Sequence, residues 1–344
     1  MDAPADAPTA PRADAPTALL VMEEERRADV YPPEVLAAIG DLVTWSAPPC
    51  TRQELADAPG QLRDVDFLLT GWGAPVLEAG LLARAPRLRA VFVAAGSVRH
   101  ITTPAFWGRG IPIVSAAAAN AVPVSEFTLA QVLLGLKQTH RIAREAAAGR
   151  GFPGHPEVAG AYRTRVGLWG LGHIGRLVAG HLSRFDVEVV ATDPVASPSA
   201  ARKAGVQLVD LDELFATSQV VSLHAPLLPR TRGVVGAHLV NSLRPGATLI
   251  NTARGALIDE PAAVDVLRNR PDLTAVLDVT DPEPPVADSP LFTLPNVVLT
   301  PHIAGAVGTE RHRLGRLVLD ELRRFTRSEP LHHALDPARA DSLA

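Results

Sequence analysis

Apolar residues fall in short runs separated by polar or Gly- and Pro-containing stretches. Runs at Ala18–Met22, Leu42–Trp45, Asp66–Thr70, Ala90–Ala94 and Pro112–Ser115 have strand length. Helix-like stretches such as Pro33–Ile39 and Pro75–Ala83 lie between them. Short apolar strands alternating with helices predict a parallel sheet covered on both faces. Near Val122 the spacing changes: Phe127, Leu129, Val132, Leu133 and Leu136 predict one long helix to about Ala148, with Pro123 in its first turn. Gly149–Gly160, with four Gly and two Pro, ends that pattern.

A second, more regular alternation follows. Its strand-like runs are Arg165–Trp169, Val187–Thr192, Val206–Val209, Val220–His224, Ala247–Asn251, Ala275–Val279 and Val297–Thr300. Helix-like segments between most of them predict a doubly wound sheet of Rossmann type. Gly308–Arg327 reads as an amphipathic helix with Leu314, Leu317, Val318 and Leu322 on one face. Residues 1–17, rich in Ala, Pro and Asp, are too polar to pack and are expected to be disordered.

Composition narrows the function classes. With 344 residues, 47% hydrophobic and 20% charged, the chain has room for two globular domains. A net charge of −4, with Arg spread among acids and Lys only at 137 and 203, argues against a nucleic-acid binder. The one cysteine, Cys50, excludes an intramolecular disulfide and has no motif around it. No run approaches a membrane span, and acids at 2, 6 and 14 interrupt any secretion signal, so a cytoplasmic protein is expected. His100, His140, His155, His181 and His312 lack ligand spacing, and no metal site is expected.

The strongest local signal is Gly170-Leu-Gly172-His173-Ile174-Gly175, between a strand and a helix. Gly170 permits a tight turn, Gly172 lets backbone approach a pyrophosphate, and Gly175 lets the helix pack close to the strand. Asp193 ends the next strand, 18 residues after Gly175. An acid there hydrogen-bonds ribose hydroxyls and repels a 2′-phosphate, which favours NAD over NADP; Arg202 and Lys203 nearby weaken that preference. The alternative for Asp193 is a cap before Pro194.

Three further segments carry polar groups just past strand ends: Ser222–Arg232, Leu243–Glu260, and Leu277–Pro284 with Thr300–Gly305. Together with the glycine turn they resemble the D-isomer-specific 2-hydroxyacid dehydrogenase family over residues 18–330. The resemblance implies two doubly wound α/β domains, with a Rossmann-type NAD domain (120–305) inserted into a flavodoxin-like substrate domain (18–119 and 306–344). It implies that Arg254, in Asn-x-x-Arg-Gly, binds the substrate carboxylate, and that Glu283 pairs with the catalytic His302 of Pro-His. Asp278 resembles the acid that contacts the nicotinamide carboxamide, or else is a strand-end cap. His224, Ala225, Pro226 and Thr231 resemble a loop lining the cofactor, as do Thr252, Ala253 and Gly305. A homodimer through the NAD domain is also implied, and no C-terminal regulatory domain is expected.

The residue types suit the reaction. Reducing a 2-keto acid puts negative charge on oxygen, so the site needs a fixed cation and a proton donor. Arg forks onto a carboxylate, and His acts as acid in reduction or base in oxidation. The chain departs from the family at Ala95-Gly96-Ser97-Val98-Arg99-His100, where a Gly-x-Gly-x-Asp-like turn is usual. Amides of Ser97 and Val98 remain able to hold a carboxylate. Arg99 either points to solvent or meets a second anionic group on the substrate. Trp72, in Thr70-Gly-Trp-Gly, either walls the substrate pocket or packs as a loop aromatic. The competing functions are a catalytically idle NAD-sensing or corepressor-like scaffold, and an oxidase of inorganic or one-carbon substrates.

Overall fold

A buried apolar run must satisfy its backbone groups by pairing. In the computed structural model, which describes residues 15–152 and 158–337, the runs form strands of two parallel sheets. The chain divides into two compact units. One comprises the residues to Asn120 with those from Gly308, and the other Ala121–Val307.

The first unit holds β1 (Thr17–Val21), β2 (Thr44–Trp45), β3 (Phe67–Thr70), β4 (Ala90–Val93) and β5 (Ile113–Ser115) in the order β2-β1-β3-β4-β5. This is the flavodoxin-like order. β3 and β4 are buried along their whole length, which is why they are continuous apolar runs and do not alternate. The helix His312–Thr326 buries Leu314, Val318, Leu319 and Leu322. Leu317, expected on that face, is only half-buried. Gly315 lies where a Cβ would stand 2.0 Å from the Val30 carbonyl oxygen, so the helix needs glycine to dock there. The chain then returns along β5, with Leu335 donating to Ile113 and Ala334 bridging Val114 antiparallel. Buried Glu321 anchors this return by accepting the N–H groups of His332 and His333, each at 2.9 Å.

The second unit holds β6 (Thr164–Trp169), β7 (Val187–Thr192), β8 (Val206–Leu208), β9 (Val220–Leu223), β10 (Thr248–Asn251), β11 (Thr274–Leu277) and β12 (Val297–Leu299). Their order is β12-β11-β10-β9-β6-β7-β8. All pairs are parallel, so every C-terminal strand end lies along one edge. The order reverses between β6 and β9, the switch point at which such sheets bind ligands.

Several expectations need correction. Thr17 already belongs to β1, while residues 1–14 of the expected tail lie outside the described residues, as do 153–157 of the Gly/Pro stretch. The single long helix is two, Ala117–Leu136 and Thr139–Gly149. Gln138 breaks it with φ 50°, and its side-chain oxygen accepts from Arg141 Nε at 2.7 Å. Pro123 is not in the first turn, because the alanines at 117–119 start the helix upstream of it. That helix is also long and apolar enough to cross a membrane, against the expectation of no such run. It is instead a packing helix: Val132 and Leu136 join the core of the second sheet. Helices Glu24–Val30 and Arg52–Asp57 went unread. The second had a signal, the Thr51–Glu54 capping box. The helix expected from Pro75 starts only at Ala79.

Glu321→Ala orphans two backbone donors under the C-terminal return. About 1–3 kcal/mol for each unsatisfied group predicts a lower urea midpoint with the m-value kept. An unchanged midpoint would show that the anchor contributes nothing.

Candidate active site

The glycine turn leaves β6 and enters the helix His173–Leu182. Gly170 has φ 105°, and a Cβ there would lie 2.8 Å from the His224 and Ala225 backbone. At Gly175 a Cβ would meet Gly170 oxygen at 2.1 Å, so the helix start closes directly onto the turn. Gly172 is the converse case. It faces open space, caps the helix without a side chain, and leaves the helix N-terminus exposed. An anion can approach backbone there, and a dinucleotide pyrophosphate fits that opening. His173 is exposed and Ile174 half-buried.

Asp193, at the end of β7, does more than cap Pro194. Its Oδ1 accepts from Val195 and Ala196 at 2.9 and 3.0 Å, while Oδ2 accepts from Leu171 N–H at 2.7 Å. The acid thereby ties its own loop to the glycine turn. Beyond β9, His224 has its Nε2 enclosed without a hydrogen-bond partner among the described residues, and burial pushes its pKa down to about 4. A neutral ring follows. Thr231 folds the rest of that loop by donating to Pro226 oxygen at 2.6 Å and accepting from Leu228 N–H at 2.8 Å.

At the end of β10, buried Asn251 shapes the turn that carries Arg254. Its Oδ1 accepts from Ala253 N–H at 3.1 Å, and its Nδ2 donates to Arg254 oxygen at 2.9 Å. Thr252 is buried against Thr128, with hydroxyls 3.3 Å apart. Arg254 is half-buried, and its Nη1 donates to Ala253 oxygen at 2.6 Å. Gly255 then passes under Thr280: a Cβ would stand 2.0 Å from the Thr280 carbonyl carbon. The Arg254 turn and the loop after β11 are therefore in backbone contact.

That second loop carries Glu283. Thr280 Oγ1 donates to Pro282 oxygen at 2.8 Å, and Arg232 pairs with Asp281 at 2.9 Å. Glu283 Oε1 lies 2.6 Å from His302 Nδ1, with both side chains roughly half exposed (43% and 49%). His302 itself has φ 54°, a left-handed conformation that costs about 1–3 kcal/mol for a residue with a Cβ. The 300–304 turn that holds it is bonded to Asp278. Oδ1 accepts from Thr300 Oγ1 at 2.6 Å and Ile303 N–H at 2.8 Å, and Oδ2 accepts from Ala304 N–H at 2.9 Å. The Asp278 main-chain oxygen accepts from His302 N–H at 2.9 Å. Asp278 is 1% exposed, so its geometry is that of a buried turn cap. Gly305 follows, half-buried.

The first unit contains the other sequence-selected residues. At the end of β5, Ser115 Oγ donates to Ala95 and Gly96 oxygens at 3.1 and 3.0 Å and fixes the start of the loop after β4. A Cβ on Gly96 would press on Asn120 at 3.3 Å. The N–H groups of Ser97 and Val98 find no acceptor among the described residues, whereas the side chain of Val98 is buried. Arg99 and His100 are exposed. Trp72 meets two guanidinium groups, Arg26 at 5.6 Å and Arg311 at 5.8 Å from the ring centroid. Arg311 is also ion-paired to Asp29. Cation–π contacts hold this indole in place.

The second unit thus brings the glycine turn, Asp193, His224, Arg254, Asp278, Glu283 and His302 to the ends of six strands of one sheet. Sequence reading missed Asn251 as the residue shaping the Arg254 turn, and Thr280 and Thr300 as the residues bracing the two loops. Only the strand-end position of each would have drawn notice.

Comparison with known proteins bears on the fold and the family. Residues 129–304 match the model of the D-isomer specific 2-hydroxyacid dehydrogenase NAD binding domain. D-3-phosphoglycerate dehydrogenase of Mycobacterium tuberculosis is 35% identical over 301 residues, covering 86% of this chain and 55% of that one. The chain therefore spans about half the length of the phosphoglycerate dehydrogenases it matches. (S)-Sulfolactate dehydrogenase of Chromohalobacter salexigens is 34% identical over 253 residues, covering 72% of this chain and 81% of that one. A solved D-isomer specific 2-hydroxyacid dehydrogenase from Xanthobacter autotrophicus, in complex with NADPH and MES, superposes with a TM-score of 0.74. It is 27% identical and covers 95% of this chain and 100% of that one. On the matched domain, the parallel sheet with its switch point and the glycine turn, the chain belongs to the D-isomer specific 2-hydroxyacid dehydrogenase family.

Proposed function

We propose that the chain is an NAD-dependent oxidoreductase that interconverts a small D-2-hydroxy acid and its 2-keto acid. The observation carrying this reading is the 2.6 Å contact between Glu283 and His302, half exposed on the strand edge that also bears Arg254. With Glu283 accepting at Nδ1, the imidazole keeps Nε2 as the atom that gives or takes a proton. Arg254 binds the substrate carboxylate and polarises the keto oxygen. In reduction, Nε2–H protonates that oxygen and leaves a neutral ring held by Glu283. In oxidation, Nε2 takes the hydroxyl proton and Glu283 balances the imidazolium. Nicotinamide, when bound, supplies or accepts the hydride. The glycine turn and the exposed helix start at Gly172 would hold its pyrophosphate, and Asp193 its adenosine ribose.

In this reading the first unit is the substrate domain, and the Ser97 and Val98 amides are its carboxylate-binding donors. Arg99 favours a substrate with a second anionic group, and the two curated relatives are named for a phosphate- and a sulfonate-bearing acid. The active form is a homodimer built through the second unit. The apolar helix Ala117–Leu136 leaves more than half of its residues unburied, and the helix Thr139–Gly149 buries no residue, so this face suits a second copy. Buried, unpaired Cys50 accords with a cytoplasmic setting.

His302→Ala is expected to lower kcat by about 10²–10⁴-fold, the range for lost general acid–base catalysis, while NADH still binds. Full turnover in that variant would refute the assignment. Asp193→Ala should weaken NADH binding and narrow the NADH-over-NADPH ratio of kcat/KM. The proposal of an NAD enzyme fails if the unaltered protein already prefers NADPH. Arg99→Ala should cost more activity on a dianionic keto acid than on a monoanionic one, and equal losses would remove Arg99 from recognition. Equilibrium sedimentation should give twice the 36.3 kDa chain mass, against one chain mass if no dimer forms.

A further inference from the structure

We propose that the first unit carries a second small-molecule site, a cavity for a monocarboxylate with an apolar tail, which acts on the substrate loop through Leu77. The site itself stands apart from the proposed reaction. Its effect on substrate rests on the reading of the Ser97 and Val98 amides as carboxylate donors.

The cavity, of about 290 Å³, lies between the helix Arg52–Asp57, the turn Pro59–Leu62, residues 75–78 and the helix Ala79–Arg84. At roughly 30 Å³ for each water-sized group, it holds about ten heavy atoms. Its floor is Leu55 and Leu62, both members of the apolar core of this unit. Its walls include Leu81, half-buried, and Val76, 40% exposed. Apolar surface left open to water favours an apolar tail. Arg52, Glu78 and Arg84 also line the cavity, all three exposed. None of them has a side-chain hydrogen bond or ion pair among the described residues. Nearby arginines are committed: Arg87 pairs with Asp66, and Arg109 donates to the Leu82 and Ala85 oxygens. Two uncommitted guanidinium forks beside an apolar hollow match a carboxylate. Glu78 offsets one of the two positive charges, so a monoanion suits the site better than a dianion. Neither Trp72 nor any of residues 96–100 lines this cavity, which separates it from the substrate loops.

Leu77 joins the cavity wall to the loop that carries Ser97 and Val98. It is fully buried, its N–H donates to Ile101 oxygen at 2.7 Å, and its carbonyl accepts from Thr103 Oγ1 at 2.6 Å. Ile101 and Thr102 in turn donate N–H groups to Val98 oxygen at 3.1 and 3.0 Å. An occupant pressing on Val76 therefore reaches Val98 through successive backbone hydrogen bonds.

Phenylacetate matches the cavity in size and, having no keto group, is not turned over. In the full-length protein with labelled Leu and Val methyls, phenylacetate should shift the NMR signals of Leu55, Leu62 and Leu81. Saturation is expected with a dissociation constant on the order of millimolar, the affinity of so small a ligand. The uncharged 2-phenylethanol should bind at least about tenfold more weakly, and Arg52→Gln with Arg84→Gln should weaken phenylacetate to the same extent. Ala56→Trp, at an exposed position lining the cavity, should abolish the shifts. The Val98 methyls should move with phenylacetate in the unaltered protein and stay put in Ala56→Trp. The site is overturned if Leu55 and Leu62 show no saturable shift, or if 2-phenylethanol binds as tightly. A Val98 shift that persists in Ala56→Trp would put the acid in the substrate site and overturn the action through Leu77, as would a still Val98 beside saturating cavity signals. If no keto acid is turned over while the arginine-dependent shifts remain, the substrate-loop reading falls and the second site stands.

Discussion

Parallel strand pairing is the constraint on which the rest of the second unit depends. A strand pair in which both chains run the same way brings equivalent ends together, and seven such strands bring all their C-terminal ends to one edge. Gly170, Asp193, His224, Thr252, Asp278 and Thr300 each follow a strand immediately and so share that edge without any direct signal between them in sequence. Because both faces of such a sheet are covered, its central strands β9, β10 and β11 are buried along their whole length. Residues one to five positions beyond them are anchored to those buried strands.

The loops convert a common edge into defined geometry through short backbone contacts more than through long side chains. Asn251 bends the Arg254 turn, and Gly255 brings that turn against Thr280. Thr280 bonds to Pro282 next to Glu283, and Glu283 reaches His302. Asp278 closes the sequence from below by holding the turn on which His302 sits. A cation, an acid and an imidazole are thereby spaced by glycine contacts and carboxylate caps. Preorganisation of this kind lets a site meet developing charge without rearranging at the moment of reaction.

Much of this was legible in the chain because it is written in local chemistry. Strand runs such as Ala90–Val93 are apolar for burial on two faces, and the glycines at 170 and 175 exist because a Cβ would collide. The fold class and the family follow from those patterns. Residues read by long-range contact were harder. Gln138 splits a helix at a position where helical spacing continues on either side, and the cause lies in its left-handed backbone and its own side-chain bonds. Asp278 could be read only as an acid at a strand end, since nothing local says that residues 300–304 will fold onto it. The surroundings of Trp72 are likewise illegible locally, since Arg26 and Arg311, whose guanidinium groups contact the ring, are far apart in sequence.

The central claim is that the strand edge of the second unit performs hydride and proton transfer on a 2-keto acid, beyond binding a nucleotide. The most direct measurement is NADH oxidation by the unaltered protein across glyoxylate, pyruvate, hydroxypyruvate, phenylpyruvate, oxaloacetate and phosphonopyruvate, with chiral analysis of the product. Saturable turnover with at least one of them is expected, with a D-configured hydroxy acid from any substrate other than glyoxylate, whose product is achiral. Tight NADH binding with no turnover on any would contradict it and leave a nucleotide-sensing scaffold.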